Sequence, residues 1–205
     1  MSNVLNARIA SALSTGALAF VLCACGDVKS ASDVGSAAED FTATDVNGGG
    51  TFHLSDHIGK QVVLIDFWAT WCQPCLAEMP HLEAMQDKYK KNGFLVVAVS
   101  MDGPESISDV PAFAKRNNMN FPVLLDEDSS IASIYNPRKS APLSAIIDKS
   151  GRITAVREGY NAGDEAFVEK DVEKALGIGA PPPPSPPPAA SAAPPPAADS
   201  AAPAK

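Results

Sequence analysis

The sequence predicts an α/β domain with a central mixed β-sheet flanked by helices and an N-terminal β-hairpin extension. Segments typical of strands and helices alternate from residue 61 to residue 125, and a second hairpin and a final helix follow. This order favours a mixed sheet with helices on both faces. The predicted domain spans residues 40–178, a length that suits one hydrophobic core.

The predicted strands begin with a hairpin. Residues 41–45 and 51–54 flank the glycine-rich stretch 46–50, a pattern that predicts two short paired strands. Residues 61–68 (QVVLIDFW) form a nearly continuous apolar run, which is typical of a central strand buried on both faces. Residues 94–100 predict a second buried strand.

A helix is predicted between these two buried strands. Leu76, Met79, Leu82 and Met85 lie three residues apart, which favours a helix from Cys75 to about residue 92, before the glycine at position 93. The remaining predicted elements are, in order, a helix at 104–118, a strand at 121–125, a helical turn at 129–135, hairpin strands at 143–148 and 152–158, and a helix at 164–176.

The N-terminal end predicts a lipoprotein signal peptide over residues 1–24. Arg8 precedes an apolar stretch of small residues that is too short to cross a membrane. The stretch ends in Leu-Cys-Ala-Cys-Gly, which resembles a bacterial lipobox and implies that Cys25 is acylated while Cys23 leaves with the leader. The alternative is an ordinary secretory signal with two incidental cysteines. Either signal predicts an extracytoplasmic protein, and the lipobox predicts a lipid anchor on the periplasmic side of a bacterial membrane.

Two further segments are predicted to lie outside the packed domain. Residues 25–39 are small, polar and aperiodic, which predicts a flexible tether. Residues 179–205 are rich in proline and alanine, which predicts a disordered tail. The net charge is −8 without a cluster of lysine and arginine, which argues against nucleic-acid binding.

The chemical centre of the sequence is Trp71-Cys72-Gln73-Pro74-Cys75, where a buried strand leads into a helix. The free N–H groups and positive dipole end of a helix N-terminus stabilise a thiolate. In C-x-x-C sites this lowers the cysteine pKa from about 8.5 toward 7 or below. Cys72 is therefore predicted to be the nucleophile, and Cys75 the thiol that resolves the mixed disulfide.

Two carboxyl groups are candidate partners of this dithiol. Asp66 lies within an apolar strand, where burial would raise its pKa and make it a proton acceptor for Cys75. The alternative is a solvated aspartate at a strand end. Glu78 lies three residues after Cys75 on roughly the same helical face, and its alternative is an ordinary acid that complements the helix dipole.

Other uses of a C-x-x-C motif fit this sequence less well. Attachment of haem c needs a histidine directly after the motif, where Leu76 stands. The three histidines have no ligand spacing with the cysteines, so no zinc site is predicted, and the sequence contains no cofactor motif. A peroxidase of the peroxiredoxin type would need a threonine three residues before the reactive cysteine, where Ala69 stands.

With these residues in hand, the chain resembles the TlpA/ResA-like branch of the thioredoxin superfamily. The resemblance rests on VVLIDFWATWCQPCLAEMP and on the later PVLLDEDSSIASIY and APLSAIIDKSGRI segments. It implies a thioredoxin-like fold, a redox-active Cys72–Cys75 disulfide, and a redox-tuning role for Glu78. It also implies that Pro142 is a cis-proline facing the dithiol and that the Ala141 backbone pairs with substrate.

The predicted function is the reduction of disulfides in exported proteins, such as apocytochrome c, or in general thiol maintenance. Trp71, Pro74, Ala141 and Pro142 are the expected substrate-binding residues, and a transmembrane electron donor is the expected source of electrons. A thiol oxidase would use the same atoms, and only the reduction potential separates it from a reductase. The peroxidase remains a third alternative, and a non-catalytic binding module a fourth. Residues 136–140 and 143–145 depart from the usual sequence of this branch, so the preferred substrate is left open.

Overall fold

The computed structural model describes residues 32–179, which form one seven-stranded sheet with helices on both faces. The strand order is β2-β1-β5-β4-β3-β6-β7, with β3, β4 and β5 mutually parallel and the other pairs antiparallel. The strands are β1 (Thr42–Asp45), β2 (Gly50–His53), β3 (Val62–Trp68), β4 (Phe94–Ser100), β5 (Val123–Leu125), β6 (Leu143–Ile147) and β7 (Ile153–Glu158). The helices are α1 (Gln73–Tyr89), α2 (Val110–Arg116), α3 (Ser130–Tyr135) and α4 (Glu165–Leu176).

Strand β3 lies at the centre of this sheet, as its apolar run predicts. All seven of its residues are buried, and it pairs in parallel with β4 and antiparallel with β6. Its side chains alternate between two hydrophobic clusters, because successive residues of a strand point to opposite faces. Leu64 and Trp68 join the cluster that contains α1, α2 and α4, whereas Ile65 and Phe67 join the cluster that contains α3 and the N-terminal hairpin.

The predicted fold class is confirmed, including the N-terminal hairpin and the mixed sheet. Most element ends agree to within one or two residues, and the predicted strand at 94–100 matches β4 at both ends. The predicted helix at 104–118 is shorter in the structure, where a short 3-10 helix at Ile107–Asp109 leads into α2. The chain around Pro104 instead forms a turn that is closed by a hydrogen bond from Ser106 N–H to the Gly103 carbonyl.

The end of the predicted tether differs from expectation, because residues 35–38 pair with the beginning of β7. Gly35 N–H donates to the Ile153 carbonyl at 2.7 Å, Ile153 N–H donates back to Ser36, and Ala37 forms an isolated bridge with Arg152. This pairing uses backbone groups, so the composition of the segment carries no sign of it. The predicted signal peptide, Cys25, the rest of the tether and the tail from residue 180 onward lie outside the described residues.

No helix within residues 32–179 is long and apolar enough to cross a membrane.

Candidate active site

The two cysteines of the C-x-x-C motif form a disulfide at the junction of β3 and α1. The Cys72 and Cys75 Sγ atoms are 2.03 Å apart, so the structure represents the oxidised form. Cys72 is the N-cap residue of α1, and its Sγ accepts a hydrogen bond from the Cys75 N–H at 3.3 Å. The Cys72 sulfur therefore lies at the positive end of the helix, where a thiolate is stabilised.

The two cysteines differ in their access to solvent. Cys72 is 4% exposed, while Cys75 is completely buried one turn inside the helix. An incoming disulfide can therefore reach only the Cys72 sulfur without rearrangement of the domain. This difference agrees with the predicted roles, in which Cys72 attacks and Cys75 resolves.

The residues around the disulfide divide into surface and core. The Trp71 side chain is 62% exposed beside Cys72, and Pro74 lies exposed in the first turn of α1, where a proline is compatible with helix geometry. Trp68 is fully buried and packs against the Phe113 ring, with centroids 5.4 Å apart. Of the two tryptophans, only Trp71 lies at the surface.

The loop that connects β3 to Cys72 is held by Asp102, a residue that the sequence analysis did not identify. The buried Asp102 carboxylate accepts hydrogen bonds from Thr70 N–H (3.0 Å) and Thr70 Oγ1 (2.5 Å), and from the hydroxyl groups of Ser100 and Ser106. The Met101 N–H also donates to the Trp68 carbonyl. These bonds fix the approach of the chain to the disulfide, and their only sequence signal is an aspartate two residues after the end of a buried strand.

Asp66 lies deep in the core on the same face of the sheet as the disulfide. It occupies the β3 position between Leu64 and Trp68, whose side chains belong to the cluster that includes Cys75. The side chain is 1% exposed, and neither Oδ atom has a hydrogen-bond partner among the described residues. Burial, and then the charge of Glu78, raise the pKa of Asp66 well above its ordinary value. The solvated strand-end alternative is therefore excluded.

Glu78 approaches the same region from the second turn of α1. Its side chain is 3% exposed, and its Oε2 atom has no hydrogen-bond partner in the described part of the chain. Burial, followed by the charge of Asp164, raises the pKa of Glu78 from 4.5 to about 7, although a hydrogen bond from Ser144 opposes the shift. An exposed acid that complements the helix dipole would not be buried in this way. The dipole-complementing alternative therefore does not describe Glu78.

Ser144 lies near both acids, and the sequence analysis also missed this residue. It lies directly opposite Asp66 in the β3–β6 register, so both side chains are on the dithiol face, and its hydroxyl interacts with Glu78. Its only sequence signal is a polar residue within the otherwise apolar stretch Leu-Ser-Ala-Ile-Ile.

The peptide bond between Ala141 and Pro142 is cis, as the family resemblance implies. Leu143 pairs with Phe67, so the preceding residues reach the end of β3 from which the disulfide loop departs. The Pro142 carbonyl accepts a hydrogen bond from Gly159 N–H at 2.8 Å. Within residues 32–179, no hydrogen bond involves the Ala141 backbone, so its polar groups are available to a bound peptide.

A groove of about 210 Å³ begins at the exposed Trp71 ring. The groove is lined by Trp71, by Met101 and by Lys139, which lies on the loop before the cis-proline. Asp126, Ser129 and Ala132 form the rest of the lining. The Lys139 loop is held by Asn136, a fully buried residue whose side chain bonds both the N–H and the carbonyl of Ser140.

Residues 32–179 contain no group of three or more histidine, cysteine or acidic side chains arranged to hold a metal ion.

Several known proteins that are similar to this chain are named thiol-disulfide oxidoreductases. Residues 34–156 match the AhpC/TSA family. The thiol-disulfide oxidoreductase ResA of Geobacillus kaustophilus is 36% identical over 148 residues, which cover 72% of this chain and 79% of the relative.

Solved structures show the same relationship. A Chlorobium tepidum protein assigned as the thiol:disulfide interchange protein DsbE aligns with a TM-score of 0.64 and 35% identity, over 70% of this chain and 98% of that one. The pneumococcal exposed lipoprotein thioredoxin of Streptococcus pneumoniae aligns with a TM-score of 0.55 and 29% identity, over 65% of this chain and 99% of that one. The chain therefore belongs to the AhpC/TSA family and is a thiol–disulfide oxidoreductase similar to the ResA proteins.

Proposed function

We propose that this protein works as a reductase, transferring two electrons from the Cys72/Cys75 dithiol to disulfides of exported proteins. The observation that carries the dithiol chemistry is the position of Cys72, whose sulfur caps α1 while Cys75, Asp66 and Glu78 are buried in the core; the reduction potential decides the direction of electron transfer. The cap favours the Cys72 thiolate, and the acids provide an acceptor for the Cys75 proton.

The reaction proceeds through a mixed disulfide. The Cys72 thiolate attacks one sulfur of the substrate disulfide, and the other substrate sulfur leaves as a thiolate that takes a proton from solvent. Cys75 then gives its proton to the carboxylate pair of Asp66 and Glu78. The resulting Cys75 thiolate attacks the Cys72 sulfur, which closes the protein disulfide and releases the second substrate thiolate.

Trp71, Pro74 and the Ala141–Pro142 segment are the proposed substrate contacts. Trp71 and Pro74 are exposed on either side of Cys72 in the sequence, and Trp71 also lines the groove. The free backbone groups of Ala141 support pairing with an extended substrate segment. Disulfide-bearing exported proteins, including apocytochrome c, are the proposed substrate class.

The location that we propose is the periplasmic side of a bacterial membrane, with Cys25 as the lipid anchor. The lipobox-like Leu-Cys-Ala-Cys-Gly stretch supports the anchor, and the pneumococcal relative is itself named an exposed lipoprotein. Because the dithiol is consumed in each cycle, the protein needs a reductant, and a transmembrane thiol donor is the proposed source. Globomycin should cause the unprocessed precursor to accumulate, and unchanged processing would contradict the anchor.

Reduction of insulin by the purified protein tests the proposed activity. With dithiothreitol as the electron source, the wild-type protein should accelerate insulin precipitation, and Cys72→Ser should behave as the uncatalysed control. Equal rates for the two proteins would contradict the proposal and favour a binding module. Net oxidation of a reduced substrate would indicate a thiol oxidase, and rapid consumption of peroxide by Cys72 would indicate a peroxidase.

A further inference from the structure

A second cavity, of about 220 Å³, shares no lining residue with the groove beside Trp71. We call it the rear cavity. It is lined by Glu78 of α1, by residues 156–160 at the end of β7, and by Asp164 and Val168 at the beginning of α4. At about 30 Å³ per molecule, it has room for several waters.

We infer that the rear cavity is the port through which the proton removed from Cys75 reaches solvent, with Glu78 at its inner end. The inference rests on the proposed function, because a proton leaves Cys75 only when the mixed disulfide is resolved. It adds a route for that proton which is separate from the substrate surface.

Cys75 and the two acids differ in how close they lie to the water of the rear cavity. Cys75 is 0% exposed and Asp66 is 1% exposed, and Asp66 is not part of the rear cavity wall. Glu78 is 3% exposed but lines the cavity, and its Oε2 atom is buried without a partner among the described residues. A proton accepted in the core therefore meets water first at Glu78.

The substrate side of the protein cannot serve as the exit for the Cys75 proton while the mixed disulfide is being resolved. In the mixed disulfide, the substrate chain is bonded to Cys72 and covers Trp71 and the cis-proline segment. Cys72 itself is only 4% exposed even without substrate. The rear cavity opens between β7 and α4, elements that contribute no residue to the groove beside Trp71.

The charged groups around Glu78 determine which small molecules or ions can carry a proton through the port. Asp66 faces Glu78 from β3, and Asp164 and Glu165 face it from the beginning of α4. Tyr160 lies between β7 and α4. Arg157 and Glu158 of β7 complete the charged groups, and Arg157 is paired with Asp171 at 2.6 Å. The lining is therefore net acidic, which favours hydronium or a neutral base over an anion.

Chemical rescue by imidazole, a small neutral base, tests the port. Glu78→Ala removes the relay acid and extends the rear cavity toward Cys75, so resolution of a preformed mixed disulfide should slow roughly 10²-fold. Imidazole should recover at least about tenfold of that loss in a saturable manner. Glu78→Gln removes the same acid but fills the space, so it should be slow without rescue. Asp66 lies beyond the cavity wall, so the Asp66→Ala variant should also resist rescue.

The controls separate this inference from the proposed function. Circular dichroism and urea unfolding check that the Glu78 variants fold correctly, and Glu78→Ser provides a second cavity-opening variant. If the wild-type protein forms no mixed disulfide with insulin, the proposed function is wrong. If it does, while imidazole rescues neither Glu78→Ala nor Glu78→Ser, or rescues Asp66→Ala equally, the port is wrong.

Discussion

The carboxyl groups of Asp66 and Glu78 interact in the core behind the disulfide, although they come from a central strand and from the following helix. Each is almost completely buried, and the charge of Glu78 contributes to the raised pKa of Asp66. Two acids so close in a poorly solvated site do not ionise together easily. The pair therefore holds a proton near neutral pH that an isolated surface carboxyl group would have lost, and it can both accept and release one.

The two cysteines should give different phenotypes when each is replaced by serine. Cys72→Ser removes the only cysteine sulfur within residues 32–179 that a partner can reach, and it should abolish insulin reduction. Cys75→Ser leaves the nucleophile but no resolving thiol, so a mixed disulfide with the substrate should accumulate. Mass spectrometry after reaction with a disulfide peptide measures the adduct. An adduct on Cys75 in the Cys72→Ser variant would contradict the assignment of roles.

The pH dependence of the resolving step should move when Asp164 loses its charge. The pKa of Glu78 is about 7, and the charge of Asp164 contributes to raising it. Because only the ionised carboxylate accepts the Cys75 proton, the rate should rise as pH increases through this range. Asp164→Asn should lower the pKa of Glu78 and shift the rising limb to lower pH. Asp87→Asn removes the same charge from an exposed position of α1 and should leave the profile in place.

Glu78→Gln should stabilise the oxidised protein at high pH. Between pH 4.5 and about 7 the folded state binds more protons than the unfolded state, so stability falls as pH rises through this window. At pH 8 the ionised Glu78 should destabilise the fold by up to about 3 kcal/mol, at about 1.36 kcal/mol per pH unit. Urea unfolding should show a gain for the variant at pH 8 that vanishes below about pH 4.5. An equal gain at both pH values would contradict the raised pKa.

Asp102→Ala should destabilise the fold and loosen the loop that carries Cys72. The substitution leaves Thr70, Ser100 and Ser106 without their shared acceptor, which should cost roughly 3 kcal/mol. Asp102→Asn retains one acceptor oxygen and should cost less. Asp109→Ala, an exposed aspartate whose side chain makes no capping bond, should change stability by less than about 0.5 kcal/mol. Comparable unfolding midpoints for the two alanine variants would refute the anchoring role.

Trp71→Ala should separate substrate binding from stability. The ring is 62% exposed, so its removal should alter the free energy of unfolding by less than about 0.5 kcal/mol. The KM for insulin should rise because the ring borders both Cys72 and the groove. Phe167→Ala removes a ring of similar exposure from α4 and should leave KM unchanged. A Trp71 variant with wild-type KM would remove this residue from the substrate surface.

The sequence predicts the fold and the reacting atoms because both depend on local signals. The apolar run of β3 specifies a central strand, and the C-x-x-C motif after it places two thiols at a helix N-terminus. The raised pKa of Asp66 is predictable for a related reason. A carboxyl group within a buried strand loses its hydration, which disfavours the ionised form.

The surroundings of the site were harder to predict because tertiary packing brings them together. Ser144 reaches Asp66 only through the β3–β6 register, and Asp164 reaches Glu78 only when α4 packs beside α1. Asp102 acts on a loop 32 residues earlier in the chain. The pairing of residues 35–38 with β7 uses backbone groups, so side-chain composition carries no trace of it.

The most direct test of the proposed reductase is the reduction potential of the Cys72/Cys75 pair, measured by equilibration in glutathione or dithiothreitol buffers. A reductase should show a potential near or below about −230 mV, in the range of thioredoxin and the glutaredoxins. A potential near about −120 mV, as in strong protein oxidants, would contradict the account and make the protein a disulfide donor.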